Sequence, residues 1–507
     1  MSADDTGPAG GLTDPFAASH DIFEGLVGWL GKAEAAVLTA AELEERLQER
    51  SREVFRQLFA DYLELRARDE PRLPLVTDAQ GMAHGTVEAG HTKALMTVFG
   101  QVQVRRVAYR RRGCPNLYPA DAGLNLPTEK HSHGLRKLAA VEASRGSFDE
   151  TVQAIVRATG QQVGKRQVED LAALAAVDFE SFYAIRLLSP PDTADDLLVL
   201  QVDGKGIVMR PDALRPATAK AAAKARHKLS SRLSKGEKRD CKRMAELGAV
   251  YDTTPVLRAA CDIYPANDAQ RQAAQDGPTA TNKWLVASVE QDATTVIAHV
   301  FDEAERRDPH HTRTWVALVD GNVHQINRIK AEGEARNITV AIVVDLIHVV
   351  EYLWKATWSL HHEADPAAEQ WVRSQALAVL DGNALKVARA IRRQATKADL
   401  TPTQRKGADT AADYLTSKAP YLNYPQALTS GWPIATGVIE GACRHIVADR
   451  FDVTGARWGL SGAEAILKLR ALRSNGDFEN YWTWHLTQER QRVHKSRYLD
   501  GALPRAA

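Results

Sequence analysis

The chain has 507 residues, 44% apolar and 25% charged, which is the balance of a soluble globular protein too long for one ordinary core. No stretch approaches the roughly eighteen consecutive apolar residues of a membrane span. The formal net charge of +1 is silent about nucleic acid, so any polyanion site must come from local clustering of charge.

Residues 1–20 are acidic and rich in Gly and Pro, and lack the basic start and apolar stretch of a secretion signal. They read as a disordered tail on a cytoplasmic protein. Residues 21–70 have apolar positions at helical spacing among many Glu, Arg and Leu. Over 71–128 the texture turns β-rich: "TVFGQVQVRRVAYR" alternates, with Gly and Pro around it. Helix returns over 129–188. "SFDE" (Ser147 to Glu150) has the form of a capping box. The helix it opens ends near "ATGQQVG", and a second begins at "KRQVEDLAALAA", with Lys165 and Arg166 in its first turn. That pattern fits a helix-turn-helix, though an ordinary helical hairpin is the commoner source of it.

"SPPDTADD" (Ser189 to Asp196) reads as a linker, and an α/β region follows over 197–345. "LLVLQVDG", "RMAELGAVYDTTP" and "KWLVASVEQ" predict strands joined by loops, hence antiparallel. "TWVALVDG" and "ITVAIVVD" predict strands joined by the helix "NVHQINRIKAEGEAR", hence parallel. Residues 346–430 are almost entirely helical in pattern. A further helical section covers 431–475, and a helical tail covers 476–507. The four cysteines, Cys114, Cys241, Cys261 and Cys443, form no C-x-x-C pair, which argues against a disulfide framework and a cysteine-based zinc site. Basic residues concentrate in "VRRVAYRRRG" (104–113) and in Lys220 to Arg243. Each is either a polyanion contact or a solvated surface.

Three strands end in an acid: Asp203, Asp320 and Asp345. "VLQVDGKGIV" predicts that its strand stops at Asp203 and turns at the glycine. In α/β sheets ligand sites lie beyond the carboxyl ends of strands. Carboxylates from adjacent strands can share divalent cations, and two such ions about 3.5–4 Å apart suit phosphodiester chemistry. Glu440, in the small and apolar "ATGVIEGACRHIVADRF", is the candidate third carboxylate. Asp-Gly after a strand is also a common turn former, and that reading stands beside the metal site.

"LQVDGKGIVMRPDALRPAT", "VALVDGNVHQ", "VVDLIHVVEYLWKA" and "ATGVIEGACRHIVADRFDVTGARWGLSGAEAILKLRAL" resemble the bacterial insertion-sequence transposases of the ISKra group, DDE enzymes related to the Mutator type. The N-terminal "TVFGQVQVRRVAYRRRG" and "DAGLNLP" are similar to the same group, so the resemblance runs from about residue 80 to 475. It implies a ribonuclease H-like α/β catalytic domain with a large helical insertion, preceded by a mixed α+β DNA-binding region. Carried over by motif, the catalytic and metal-binding triad is Asp203, Asp320 and Glu440, holding Mg²⁺ or Mn²⁺. Asp345 and His348 of "DLIH" would flank the site, and Asp345 competes with Glu440 for the third position.

Lys205, Arg444, His445, Arg450 and Arg457, with Lys165 and Arg166 of the possible helix-turn-helix, are then candidate DNA contacts, and Trp458 a candidate stacking platform for an unpaired base. For each, a surface or core role competes. The implied partners are double-stranded DNA, as transposon ends and target, and further copies of the chain on that DNA. The implied location is the bacterial cytoplasm and its nucleoid. Three rivals remain on the sequence alone: a non-transposing nuclease of the same fold, a DNA-binding protein without catalysis, and a hydrolase using paired carboxylates as acid and base.

Overall fold

The computed structural model describes residues 14–186, 196–224, 241–453 and 455–504. They divide into two units: one runs to Ala184 and resumes at Phe478, the other is Ile185–Asp477.

In the first unit, α1 (Ala17–Leu30) precedes α2 (Ala40–Arg68). Helix α2 starts at Thr39, which exchanges hydrogen bonds with Glu42 in a capping box. Residues 17–20 of the expected tail are therefore helical, and 1–13 lie outside the described residues. A short pair, β1 (Val76–Thr77) and β2 (Ala83–His84), is followed by the long hairpin β3 (Thr86–Thr97) and β4 (Gly100–Arg110). Inward residues of the hairpin, Leu95, Val102 and Val104, bury against Leu63 of α2 and Leu126. The arginines of the basic run 104–113 are partly paired, and Arg111 and Arg112 are exposed. Arg105 pairs with Glu64 at 2.6 Å, Arg106 with Asp121 and Arg110 with Glu88.

Helices α3 (His133–Arg145), α4 (Phe148–Thr159), α5 (Lys165–Ala175) and α6 (Phe179–Ile185) continue the unit. The helix Phe478–Val493, expected within a separate tail over 476–507, packs into this unit. Tyr481 Oη donates to the Ala175 carbonyl at 2.7 Å, and the fully buried His485 lies 2.7 Å from Asp178. Such pairings span about three hundred residues, so no local pattern announces them.

The second unit is built on five strands: β5 (Leu197–Val208), β6 (Lys242–Thr253), β7 (Thr281–Ser288), β8 (Trp315–Val319) and β9 (Val340–Val344). Their order is β7-β6-β5-β8-β9. The pairs β5–β6 and β6–β7 are antiparallel, while β5–β8 and β8–β9 are parallel. Helix α7 (Ala293–Arg307) leads from β7 to β8, and α8 (Val323–Ala335) is the crossover between the parallel strands β8 and β9. The apolar runs of β5 and β8 are buried on both faces, which is why they lack polar alternation.

After β9 come α9 (Leu346–Thr357), α10 (Pro366–Leu380), α11 (Ala384–Lys397) and α12 (Lys406–Lys418). Tyr352 of α9 stacks on Tyr414 of α12 at 3.8 Å. Helix α13 (Gly437–Ala442) and α14 (Leu460–Ser474) end the unit. Residues 189–195 of the expected linker, and 225–240 of the second basic run, lie outside the described residues. Among the described residues no helix is long and apolar enough to cross a membrane.

The expected strand end at Asp203 is corrected. β5 runs on through Gly204 and Gly206 to Val208, paired with β6 throughout. The glycines leave room for β6 side chains rather than making a turn: a Cβ at Gly204 would stand 2.9 Å from Met244 Cε.

Candidate active site

The sheet register aligns three acids. Leu198 to Gln201 of β5 face Trp315 to Leu318 of β8 in order, and two residues further Asp203 comes level with Asp320. Likewise Val319 faces Val344, so the next pair is Asp320 with Asp345, and the Asp345 amide donates to the Val319 carbonyl at 2.8 Å. Adjacent strands are about 4.8 Å apart, so the three carboxylates stand in one row at the carboxyl edge of the parallel strands. β8 and β9 stop there while β5 continues, which leaves Asp203 and Asp320 half-buried rather than sealed.

Asp345 is fully buried and caps α9. Its Oδ1 accepts from the Ile347 amide at 2.9 Å, and its Oδ2 from Thr436 Oγ1 at 2.6 Å and from His348 Nδ1 at 3.1 Å. Thr436 Oγ1 also lies 3.1 Å from Glu440 Oε1. Asp345, His348 and Glu440 thus bring one ligand atom each within 4.8 Å of the others. Asp203 and Asp320 border that group without belonging to it. The hydrogen bond to Asp345 lifts the His348 pKa to about 9 against the effect of burial, with help from the charges of Asp345, Glu351 and Asp320. His348 is therefore an imidazolium at neutral pH. Glu440, despite its small and apolar sequence neighbours, is exposed to solvent.

Asp203 is held from the helix side. The Cys443 thiol, one helical turn beyond Glu440, donates to Asp203 Oδ2 at 3.3 Å. Burial and the neighbouring Asp203 charge push the Cys443 pKa up, so it remains a thiol able to donate. Just past α13 the helix widens into a π turn over Cys443–Ala448, a feature common at functional sites.

No family model matches the chain, and neither does any curated protein. Among solved structures the chain is similar to a Drosophila P element transposase strand transfer complex, at 9% identity and a TM-score of 0.23, over 73% of this chain and 82% of that one.

The other expected site residues divide. Lys205 shares the Asp203 face of β5 and is half-buried. Arg444, His445 and Arg457 are exposed. Trp458 is not a surface platform: it is 5% exposed, its ring 4.3 Å from Phe451 and 4.6 Å from the Arg450 guanidinium. Its backbone also extends β5, donating to Val208 and accepting from Arg210. Arg450 is buried with it, so neither is available to a nucleic acid as an exposed side chain would be. In the first unit, Lys165 pairs with Asp149 at 2.6 Å and Arg166 is exposed beside Asp170. Gly160 ends α4 at φ 68°, and five residues separate α4 from α5.

Besides Cys443, three residues around the site escaped the sequence reading. Gln201 (1% exposed) accepts the Ile439 amide at 2.8 Å and so fixes α13 against β5. Thr436, at the start of α13, donates to Asp345 and lies 3.1 Å from Glu440. Glu246 of β6 reaches over Gly204, and burial raises its pKa, with the Asp203 charge adding to the effect. A polar Gln inside "LLVLQVDG" was the one sequence signal for any of them.

Proposed function

We propose that this protein is a DNA transposase of the DDE type, cutting the ends of its element and joining them to target DNA. The observation that carries the reading is the level alignment of Asp203 and Asp320 on adjacent parallel strands, beside a helix bearing Glu440. The sheet order third-second-first-fourth-fifth, with an antiparallel second strand, supports a ribonuclease H-like core for the second unit.

Asp203, Asp320 and Glu440 are the candidate ligands for Mg²⁺ or Mn²⁺. Asp345 is the weaker candidate, because its oxygens are engaged by three donors within a fully buried site. The donor set fits a hard cation: exposed or half-exposed carboxylates crowd one sheet edge, where like charges repel unless a cation separates them. Bound there, such ions would polarise the scissile phosphate and lower the pKa of the attacking water or 3′-hydroxyl.

The chain's own residues do the rest. Thr436 and Gln201 fix the helix that carries Glu440, and Cys443 orients Asp203. Lys205 points a cation along the same face, suited to a phosphate oxygen. Arg444, His445 and Arg457 offer exposed cations beyond the helix. Recognition of the terminal repeats falls to the first unit, with α4 and α5 the candidate elements. Joining two ends requires at least two copies of the chain on DNA.

The test is incubation of purified protein with labelled DNA carrying the sequences that flank its gene, in Mg²⁺, Mn²⁺ or EDTA. Asp203→Asn, Asp320→Asn and Glu440→Gln run beside the wild type. Metal-dependent cleavage at discrete ends, followed by joining and lost in all three variants, supports the reading. Cleavage without joining indicates a non-transposing nuclease of the same chemistry. Cleavage that survives all three substitutions rejects the triad.

A further inference from the structure

A second group of metal-ligand atoms converges in the first unit, outside the acidic site. Asp78, His84 and Cys114 each bring one ligand atom within 4.8 Å of the others. They come from three elements: the residue after β1, the end of β2, and the loop that follows β4. The loop is drawn in by its own hydrogen bonds. Tyr109 and Leu117 pair across its base, and Arg111 donates to the Ala83 carbonyl, one residue from His84. The sequence shows none of this, because a zinc motif is read from cysteine pairs close in sequence, and here the ligands are assembled by strand pairing.

Each ligand is already oriented. Asp78 Oδ1 accepts the amides of Gln80 and Met82 at 3.0 and 2.8 Å, which leaves Oδ2 directed at His84 Nε2, 3.0 Å away. The other ring nitrogen, Nδ1, lies 3.3 Å from the Tyr109 carbonyl oxygen. A carbonyl cannot donate, so Nδ1 carries the proton and Nε2 presents a lone pair toward a carboxylate oxygen, unless the ring is charged. Two lone pairs facing each other in a buried place need a proton or a metal cation between them. His84 is fully buried and Asp78 is 7% exposed. A metal-bound histidine donating its second N–H to a backbone carbonyl is the usual outer arrangement of such sites.

We infer that Asp78, His84 and Cys114 bind a structural Zn²⁺ ion. On binding, the Cys114 thiol gives its proton to solvent. Carboxylate and thiolate together then balance the two positive charges, leaving a neutral centre suited to burial. Mixed sulfur, nitrogen and oxygen ligands favour Zn²⁺ over Mg²⁺. The Nε2–Oδ2 separation is close to the about 3.3 Å that tetrahedral bonds of roughly 2.0 Å impose. Three protein ligands leave the fourth position to a water molecule, and Cys114 is half-buried. The ion's role follows from size: β1 and β2 have two residues each and one short ladder, too little to be stable alone. Zinc would pin that hairpin to the end of β4.

The test uses the full chain, dialysed against EDTA and titrated with Co²⁺ and then Zn²⁺. The expected result is one equivalent of tetrahedral Co²⁺ with a sulfur-to-cobalt charge-transfer band, displaced by Zn²⁺ and not by Mg²⁺. The band should vanish in Cys114→Ser. Zn²⁺ affinity in His84→Gln should fall by more than the roughly 10–100-fold that losing an outer-shell partner costs. The band should persist in Cys443→Ser and Asp320→Asn, which separates this centre from the acidic site. Wild type that gives no thiolate band, or a band that survives Cys114→Ser, overturns the inference and leaves a plain His84–Asp78 hydrogen bond. The wild-type titration decides even if a variant fails to fold.

Discussion

Gln201 Oε1 accepts the Ile439 amide at 2.8 Å, joining residues 238 positions apart across the second unit. Its Nε2 donates to Tyr251 Oη at 3.0 Å, so the buried amide spends both ends on holding β5, β6 and α13 together. Gln201→Leu keeps the bulk and leaves the Ile439 amide without its acceptor. That should cost about 1–3 kcal/mol, read from urea unfolding. Because Glu440 follows Ile439 directly, DNA cleavage should fall more than stability does. Unchanged stability would remove Gln201 from any account of the site.

Thr436 makes the second link. Its hydroxyl has one proton, and the 2.6 Å distance gives it to Asp345 rather than to Glu440 at 3.1 Å. Thr436→Val should destabilise by about 1.5–3 kcal/mol, since a buried carboxylate loses a donor. Thr436→Ser keeps the hydroxyl and should restore both stability and Mg²⁺-dependent activity. Equal loss in Ser and Val variants would assign the effect to the methyl group.

Much of the second unit was legible in the sequence for a physical reason. Strands buried on both faces read as apolar runs, and the helix between β8 and β9 forces a parallel pair. The acids at 203, 320 and 345 were visible as interruptions of those runs. Their common level was not, because register depends on pairing across the sheet. Asp203 was misplaced at a turn because Gly204 and Gly206 carry a turn signal, while the structure uses them for close approach of β6. For Trp458 and Arg450 the sequence left a DNA-contacting role open beside a core or surface one, and the structure buries them against each other. Thr436, Cys443 and Glu246 gave no signal, being ordinary residues whose roles exist only once α13 meets the sheet.

The first unit should weaken in acid through Asp178. Burial raises this carboxyl, but hydrogen bonds from His485 at 2.7 Å and Arg492 at 2.9 Å outweigh it and hold the pKa at about 2. In the unfolded chain the value is about 3.9. The folded state therefore binds fewer protons between these values. The stabilisation is fully present above about pH 5 and is lost as pH falls toward 2. Allowing for solvent screening, it is on the order of 1–2 kcal/mol. Unfolding followed from pH 6 to 2.5 should show this slope in the wild type and a flatter one in Asp178→Asn. Identical slopes would mean that another group governs acid sensitivity.

Close packing of α9 and α12 offers a test of the helical segment that follows the site. A Cβ on Gly407 would stand 2.2 Å from the Lys355 carbonyl oxygen, which is backbone and cannot swing away. Gly407→Ala should force the helices apart and cost about 1–3 kcal/mol or more. The Tyr352–Tyr414 stack lies between the same helices, so its ring signals should shift in NMR spectra of the variant. Wild-type stability with an unmoved stack would show that the helices approach less closely.

Two neighbouring acids should respond in opposite ways to the same substitution. Asp345 accepts three hydrogen bonds in a fully buried place, so Asp345→Asn turns an amide nitrogen toward groups that themselves donate. The loss should be about 2–4 kcal/mol, and His348, raised to about 9 chiefly by its bond to Asp345, should titrate near its ordinary value. Asp320 is half-buried, and its carboxylate accepts the Asn322 amide at 2.7 Å, a bond that an amide oxygen can replace. Asp320→Asn also removes a negative charge from a crowded row, so metal-free stability should hold or rise. What it should lose is the upward Tm shift on adding Mg²⁺, because a ligand is gone. Thermal melts with and without Mg²⁺, together with His348 titration by NMR, read all of these at once. If Asp345→Asn is the variant that stays stable yet ignores Mg²⁺, then Asp345 is the ligand and Asp320 the support, and the triad must be redrawn around Asp203, Asp345 and Glu440.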